Sequence, residues 1–491
     1  MPRLSESTLR DLKPTVRRFG YSRALVRPGI VHLGIGAFHR AHQAVYLDDL
    51  LSGHPSWGIV GASLRRPDTL DALKPQDSLY TIVVRGAENS EARVIGSVLD
   101  IIDATVDGER LLEVMSSPSV RIVSLTVTEK GYCHNPATGR LDQAHPDIVH
   151  DLAEPHAPVS APGFILEALD RRRLAGLPAF TVMSCDNLPN NGKTAQNIVL
   201  GLAIARDAAL AQWVGRNVAF PSTMVDRIVP ATTDEDRAAV LEATGVEDNW
   251  PVVTEPFTQW VIEDNFSNGR PPFEQVGAEL VLDVTPFEHM KLRMLNGSHS
   301  SLAYLGYLAG HQYVSDAIAR PEFRSFIHGL MTEEVMPTLD MPGTDLQGYR
   351  DKLLDRFRNP ALKHRTWQIA MDGSQKLPQR LLGTIADRLR HNQSIERLTL
   401  GVAGWMRYVG GEDESGSPID VRDPLAERFA AIAAEHTDPI ARVDALLGIT
   451  DVFGTELPQS DLFRNTLIGH YMRLESDGAA NTVAMVAGEA R

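Results

Sequence analysis

The stretch Lys291-Leu-Arg-Met-Leu-Asn-Gly-Ser-His299 combines side chains that suit proton transfer beside a reacting alcohol. Hydride exchange between an alcohol and nicotinamide needs a base for the hydroxyl proton, and a desolvated lysine can provide it without a metal. The Asn296 amide can donate a hydrogen bond to a developing alkoxide, and a neutral His299 can orient a neighbouring hydroxyl. On an α-helix, Lys291, Asn296 and His299 fall within roughly 140° on one side. Arg293 lies roughly 60° beyond Asn296. Periodicity alone favours the simpler alternative of surface charges and a core histidine.

A second candidate for hydrogen bonding to a ligand is Asn187, which follows the β-like run 179–185. Ligands of doubly wound folds bind beyond the carboxyl ends of the strands, so this asparagine is placed to face one. The alternative is that Asp186 and Asn187 form an ordinary turn before Pro189, which the residue types fit equally well.

A glycine-rich turn, Gly34-Ile-Gly-Ala-Phe-His39, directly follows the β-like run 29–33. This is the position of a Rossmann βα turn, in which Gly34 permits the tight turn and Gly36 lets the backbone approach a pyrophosphate. The third glycine of the usual fingerprint is replaced by His39. A purely structural turn has the same pattern, but its position after the first strand favours a dinucleotide site. The cofactor-binding residues predicted in this turn are Gly34, Gly36, Ala37 and Phe38.

The run 58–62 predicts the second strand, whose end should lie near an adenosine ribose. An acidic residue there would hold the ribose 2′-hydroxyl, whereas an arginine would favour a 2′-phosphate. The following segment offers Asp68 but also Arg65 and Arg66. The residues alone therefore leave NAD and NADP open, and a solvated loop without a ligand is the alternative.

These candidates must be positioned by regular elements, and the chain changes character along its length. Short β-branched runs at 29–33, 58–62, 120–127 and 179–185 alternate with helical spacing, as in 40–51 and 195–214, which predicts a parallel sheet with helices on both faces. After a last β-like run at 278–284, apolar residues follow a helical period, as in 323–331. We therefore predict an α/β fold with a Rossmann-like domain at 1–285 and a mostly helical domain at 286–491, with Pro286 near the boundary.

Composition limits the class of protein. The 491 residues carry 48 Lys+Arg against 63 Asp+Glu, a formal net charge of −15, which argues against a nucleic-acid binder. Two cysteines are too few for a disulfide framework, and no signal peptide or membrane-spanning apolar run is present. We expect a cytoplasmic enzyme with a small-molecule substrate, and neither nucleic acid nor membrane as a partner.

Six motifs together resemble the mannitol dehydrogenase family, the polyol-specific long-chain dehydrogenases. They are Gly34-Ile-Gly-Ala-Phe-His-Arg-Ala-His-Gln43, Val123-Ser-Leu-Thr-Val-Thr-Glu-Lys-Gly-Tyr-Cys133, Thr181-Val-Met-Ser-Cys-Asp-Asn187, Met224-Val-Asp-Arg-Ile228, Glu255-Pro-Phe257 and Lys291 to His299. The resemblance implies a Rossmann-like domain followed by a mostly helical one, and use of NAD(P) without a metal. Because the family includes functional monomers, we expect a monomer.

The resemblance also implies roles for single residues. Lys291 matches the catalytic acid/base, Asn187 and Asn296 match the groups that bind the reacting oxygen, and His299 matches a residue that positions substrate. Asp226 and Lys376 match positions near the family's active site. Glu288 matches a glutamate implicated in proton exchange with solvent.

Departures from the mannitol-oxidising members indicate the substrate. Those members carry a small residue at the position that matches Arg293 and an arginine at the position that matches Gln368. The block from His364 to Arg380 instead resembles the fructuronate reductase branch, also called D-mannonate oxidoreductase. Its substrates carry a carboxylate, which a guanidinium can hold through two parallel hydrogen bonds.

The candidates for that carboxylate contact are Arg293, Arg365 and Arg380. In the structural alternative, Arg293 faces the far side of its helix and the other two pair with acidic neighbours. We expect NAD as the cofactor, since the branch generally uses it and Asp68 fits. The rival functions are a mannitol or related polyol 2-dehydrogenase and, more remotely, a nucleotide-binding sensor without catalysis.

Overall fold

The computed structural model describes residues 1–135 and 138–488. The chain forms two compact units, Met1–Thr285 and Pro286–Arg491. In the described ranges, no helix is both long enough and apolar enough to cross a membrane.

The first unit is built on a five-stranded parallel sheet, whose strands are β1 (Pro28–Leu33), β2 (Gly58–Ser63), β5 (Val98–Asp103), β6 (Ile122–Leu125) and β9 (Thr181–Ser184). Their order across the sheet is β5-β2-β1-β6-β9. Counted by their appearance in the sheet, the order is 3-2-1-4-5, which is the Rossmann arrangement. The predicted parallel sheet and fold class are confirmed.

The strands of this parallel sheet are buried on both faces, as is usual when crossover helices cover both sides of a sheet. On β1, Val31 and Leu33 belong to one apolar core, while Ile30 belongs to a second core on the opposite face. Such two-sided burial selects the continuous β-branched runs that predicted these strands. The strand order reverses between β1 and β6, so the crevice beyond their carboxyl ends is where ligands of open α/β sheets bind.

Smaller sheets that were not predicted complete the first unit. The remaining strands are β3 (Tyr80–Arg85), β4 (Ser90–Ile95), β7 (His134–Asn135), β8 (Arg140–Leu141), β10 (Thr223–Asp226), β11 (Val252–Thr254), β12 (Gln259–Glu263) and β13 (Glu279–Val281). They form the sheets β10-β12-β13, β11-β3-β4 and β7-β8. The predicted strand at 278–284 is reduced to β13, since only three of its residues pair with β12.

Two segments predicted as single helices are each divided in two. The helices here are α1 (Ala37–Ala41), α2 (Gln43–Leu50), α3 (Asp68–Leu73), α4 (Gly108–Ser116), α5 (Pro146–Ala153), α6 (Ala161–Leu174), α7 (Asn191–Arg206), α8 (Ala208–Asn217) and α9 (Asp234–Thr244). His42 leaves helical geometry (φ −122°, ψ −91°) between α1 and α2. Asp207 separates α7 from α8 because its carboxylate caps α8, accepting from the Leu210 N–H at 2.6 Å.

The second unit is helical. Its α-helices are α10 (Thr285–Met290), α11 (Gly297–Leu308), α12 (Val314–Ala319), α13 (Pro321–Gly329), α14 (Leu346–Phe357), α15 (Thr366–Ala370), α16 (Gly373–Leu377), α17 (Gly383–Arg390), α18 (Glu396–Tyr408), α19 (Ala426–Glu435), α20 (Pro439–Leu447), α21 (Thr450–Phe453) and α22 (Asp461–Ala487). The last of these is interrupted at Gly478, where φ is 78°. Helix α11 is buried almost throughout and packs against α15, α18 and α22, so it is the central helix of this unit.

Candidate active site

The glycine turn lies at the point where the strand order reverses. Gly34 has φ 90°, and a Cβ on it would stand 2.2 Å from the carbonyl oxygen of Thr126, so only glycine fits. Gly36 has no such restriction, because its φ is −84° and a Cβ there would meet only the Gly34 oxygen, at 3.9 Å. Open space beside Gly36 is what a close-lying pyrophosphate needs, so the turn fits a dinucleotide.

Two stacked histidines, His32 and His39, pack against this turn. The Nε2 of His32, on β1, lies 2.8 Å from the Thr126 hydroxyl, which itself donates to the Gly34 carbonyl oxygen at 2.8 Å. The hydroxyl proton is thus committed, which assigns the ring proton of His32 to Nε2 and leaves Nδ1 to accept from Ser124 at 2.8 Å. The His39 ring stacks on His32 with centroids 3.5 Å apart. The residue that replaces the third fingerprint glycine is therefore a packing element of the turn.

Burial keeps both histidines neutral. Desolvation lowers the pKa of His32 to about 3, and it lowers the pKa of His39 well below its usual range, with the nearby charge of Arg40 adding to the effect. Among the described residues, the buried Nδ1 of His39 has no hydrogen-bond partner.

A buried carboxylate next to Asn187 anchors the loop that follows β6. Asp186 accepts from the backbone N–H groups of Val127 and Thr128 at 3.0 and 2.9 Å, and from the Tyr132 hydroxyl at 2.8 Å. Thr128 needs that support, since its φ is 62°, a strained value for a β-branched residue. Burial nevertheless raises the pKa of Asp186 to about 6. The sequence alone indicates only a turn-forming role for this aspartate.

Asn187 and Asp226 lie at the ends of strands that belong to two different sheets of the first unit. Asn187 lies beyond the carboxyl end of β9 and is exposed, whereas Asp226 is the last residue of β10 and is buried. The Asn191 amide joins the two regions, donating to the carbonyl oxygens of Asp186 and Thr223 at 2.9 and 2.8 Å. Asn187 therefore projects from a firmly held loop.

The loop after β2 places the residues considered for the ribose. Asp68 opens α3 and is exposed. The guanidinium of Arg65 is ion-paired with Asp147 in the first turn of α5.

One group of side chains near this pair has the composition of a metal site. Cys133, His145 and Asp147 offer ligand-type atoms within 4.8 Å of one another. Two of the three are already engaged, because Asp147 pairs with Arg65 and the His145 Nδ1 accepts from the Asp147 N–H at 3.2 Å. The closeness of these three side chains is therefore explained by the helix cap at His145 and by the ion pair of Asp147, without a metal.

In the second unit, the segment carrying the candidate acid/base is a π-helix, which corrects the helical-wheel argument. Residues Lys291–Asn296 are π-helical and run directly from α10 into α11. A π-turn has i→i+5 hydrogen bonds, so the arc drawn for an α-helix does not describe these side chains. Lys291 and His299 are buried and Asn296 is half-buried. Glu288 is half-buried on α10, three residues before the lysine.

The π-turn packs against two further π-helical segments. Within the described residues these are Leu330–Val335 and Pro378–Leu382, and both contact Lys291–Asn296. The approach is close at Gly297, where a Cβ would lie 2.8 Å from the Arg380 carbonyl oxygen. π-Turns inside α-helices are frequent at functional sites, which marks this part of the unit.

His299, His364, Lys376 and Arg380 form a histidine–cation cluster. The His299 and His364 rings meet edge to face with centroids 4.7 Å apart, and Lys376 acts electrostatically on both. Lys376 donates to the Met371 carbonyl oxygen at 2.5 Å, and Arg380 donates to the Ser300 hydroxyl at 3.0 Å. His364 was not assigned a role from the sequence, since nothing in its neighbours indicated that it lies against His299.

In this cluster, two neutral imidazole rings, each with one ring nitrogen that lacks a hydrogen-bond partner among the described residues, lie beside two cations. Burial lowers the pKa of His364 to about 4 and that of His299 well below its usual range. Among the described residues, His299 Nε2 and His364 Nδ1 are buried without a hydrogen-bond partner. Buried polar atoms are rarely left unpaired, so the cluster is suited to a ligand with hydroxyl groups and a negative charge.

The three arginines considered for a carboxylate differ in their surroundings. Arg293 is ion-paired with Asp387 at 2.6 Å and donates to the Thr338 hydroxyl at 2.8 Å. Arg365 is exposed, with its guanidinium 5.8 Å from the centre of the Tyr313 ring. Only Arg380 of the three belongs to the histidine–cation cluster, so Arg380 becomes the candidate.

Comparisons with known proteins agree with this architecture. A family model for the mannitol dehydrogenase Rossmann domain matches residues 28–275, and one for the mannitol dehydrogenase C-terminal domain matches residues 283–475. The chain is 53% identical over 460 residues to the uncharacterized oxidoreductase YdfI of Escherichia coli (strain K12), covering 93% of this chain and 95% of the relative. It is 51% identical over 484 residues to the D-mannonate oxidoreductase of the same organism, covering 97% and 99%.

A solved structure extends the similarity to three dimensions. The Pseudomonas fluorescens mannitol 2-dehydrogenase ternary complex with NAD and D-mannitol matches with a TM-score of 0.89 at 40% identity. The match covers 99% of this chain and 100% of that one. The predicted family and fold are thereby confirmed.

The buried histidines of the glycine turn, His32 and His39, make the stability of the fold depend on pH. Because the folded pKa values lie below the ordinary value of 6.5, unfolding takes up protons below that pH, and the free energy of unfolding falls as the pH drops from 6.5 toward 3. Where the unfolded ring is fully protonated, uptake of one proton on unfolding contributes about 1.4 kcal/mol per pH unit to this slope. We expect His39→Gln to remove the contribution of that one ring. Urea denaturation between pH 7.5 and 5 measures it, with exposed His391→Gln as control. An unchanged slope in His39→Gln would show that His39 is not buried neutral.

Proposed function

The chain belongs to the mannitol dehydrogenase family of oxidoreductases, which act on CH–OH groups, and we propose that it interconverts D-fructuronate and D-mannonate. The observation that carries the proposal is the placement of Lys376 and Arg380 beside two neutral histidines, in a chain whose net charge is −15. An acidic protein that takes an anionic sugar needs such a local concentration of positive charge. The full-length similarity to a D-mannonate oxidoreductase supports the same substrate.

We propose NAD as the cofactor, which supplies or accepts the hydride when bound. Gly34, Gly36 and the following Ala37 and Phe38 would hold its pyrophosphate, since the turn has the conformation and open space that this requires. Asp68 would bind the ribose 2′-hydroxyl. The pairing of Arg65 with Asp147 supports NAD over NADP, because that guanidinium is already engaged.

The proposed acid/base is Lys291, which in the reductive direction supplies the proton to the oxygen of the keto group. Burial of this lysine excludes water, which strengthens its interaction with a reacting oxygen. Asn187 and Asn296 would donate hydrogen bonds to that oxygen as negative charge develops on it. Glu288 would exchange the proton with solvent, and Asp226 and Lys376 would contact substrate.

The second candidate is a mannitol 2-dehydrogenase with the same groups acting on a neutral hexitol. It is supported by the TM-score of 0.89 to such an enzyme. The histidine–cation cluster favours the first candidate, because a neutral polyol would not use the bidentate carboxylate contact that we propose for Arg380. A sensor without catalysis is disfavoured by the presence of Lys291, Asn296 and His299 together.

The carboxylate contact predicts a selective loss in Arg380→Gln. Charge-assisted hydrogen bonds contribute about 1.5–3 kcal/mol, so kcat/KM for fructuronate should fall roughly 10- to 100-fold. Because fructose carries no carboxylate, kcat/KM for fructose should stay within about threefold of the wild-type value. Steady-state kinetics on both sugars measures this, with Arg390→Gln, an exposed arginine of the same unit, as the matched control. Wild-type protein that uses fructose as well as fructuronate would contradict the uronate assignment.

The acid/base role predicts that Lys291→Ala turns over roughly 10²–10⁴-fold more slowly. NADH affinity, followed by fluorescence, should stay within about twofold, since the lysine is assigned to proton transfer. Lys363→Ala, at an exposed lysine, is the control for removing a charge. Undiminished turnover in Lys291→Ala would eliminate this mechanism.

A further inference from the structure

The ion pair between Arg65 and Asp147 links two parts of the first unit that are far apart in sequence. Arg65 lies in the loop after β2, and Asp147 lies 82 residues later, in the first turn of α5. The arginine side chain is 62% exposed and the aspartate side chain 18% exposed. The pair therefore joins a solvated guanidinium to a largely covered carboxylate.

This loop lies beside the glycine turn. Strands β1 and β2 are neighbours, with Leu33 opposite Ala62, and the Gly34 N–H donates to the Ala62 carbonyl oxygen at 2.9 Å. In Rossmann folds the end of the second strand meets the adenosine ribose, where an arginine accommodates the 2′-phosphate of NADP. Arg65 has the residue type and the place for that contact, yet its guanidinium is held elsewhere.

Asp147 is the fixed partner of the pair. Its backbone N–H donates to the His145 ring at 3.2 Å, and Pro146 begins the helix. The next residue, Ile148, is completely buried in the apolar core. The carboxylate thus has a set position, and the long, exposed arginine side chain is the member that can move.

We propose that Asp147 is a coenzyme-selectivity residue. By pairing with the Arg65 guanidinium, it withholds the charge that would receive a 2′-phosphate, and so maintains a preference for NAD. The inference rests on the proposed function to the extent that it needs a dinucleotide at the glycine turn. It does not depend on which sugar is the substrate.

The size of the effect follows from the exposure of the pair. Partly exposed ion pairs are weak, so releasing Arg65 should change NADP use modestly, by about fivefold. An alternative cause of the same gain is the loss of a negative charge as such, independent of Arg65. The experiment therefore has to separate release of Arg65 from a change in net charge.

A double-mutant comparison makes this separation. We expect Asp147→Asn to raise the ratio of kcat/KM for NADP to that for NAD about fivefold, with the NAD constants within twofold of wild type. Adding Arg65→Ala should abolish the gain, whereas adding Arg66→Ala, at the exposed neighbour, should retain it. Asp142→Asn, which removes a charge from the same region, should produce no gain. Asp147→Ser, equally uncharged, should repeat the result if Asp147→Asn folds poorly.

Titration of NADH and NADPH by tryptophan fluorescence, without any sugar, tests the inference apart from the reaction. A gain in NADPH affinity that depends on Arg65 supports it. A gain that persists in Asp147→Asn with Arg65→Ala overturns it, since charge alone then suffices. Unchanged NADPH affinity in both Asp147 variants also overturns it when NADH still binds. If neither the wild type nor any variant binds NADH or NADPH, the proposed cofactor site itself is rejected.

Discussion

The backbones at Gly34 and Thr126 approach so closely that no side chain fits between them, and the arrangement of the first unit depends on this contact. It joins the turn after β1 to the loop after β6, on the two sides of the point where the strand order reverses. The Thr126 hydroxyl, which bonds to the Gly34 carbonyl oxygen, fixes the proton of His32, and His32 in turn supports His39. The space beside Gly36, two residues further along the same turn, is open.

The loop after β6 is held at both of its ends. Its start is fixed against Gly34, and its continuation at Val127 and Thr128 is bound by the buried Asp186. The strain at Thr128 is sustained because a carboxylate next to Asn187 accepts its N–H. The two loops that border the proposed dinucleotide site are thus tied to the sheet by polar contacts in a dry environment, where such contacts are strong.

The features that could be predicted are those encoded in local sequence. Buried strands such as β1 and β6 require continuous β-branched runs, and the turn at Gly34 requires glycine, so both are visible in a single segment. A three-residue strand such as β11 is too short to show a period. The pairing of Asp147 with Arg65 and the meeting of His299 with His364 join distant positions. The π-turn packs against segments that are distant in sequence, as at Gly297 and Arg380, and no short window of sequence displays those contacts.

The π-turn at Lys291–Asn296 has a consequence for how this part of the chain tolerates insertion and deletion. A π-turn contains one residue more per turn than an α-turn, so removing a single residue from 291–296 would restore an unbroken α-helix. Because the extra residue is accommodated within the π-turn, the α-helices before and after it would stay close to their present alignment. The deletion would instead change which side chains within 291–296 face the neighbouring segments. The one extra residue therefore sets the local arrangement of Lys291 and Asn296, while His299 would keep its place beside His364.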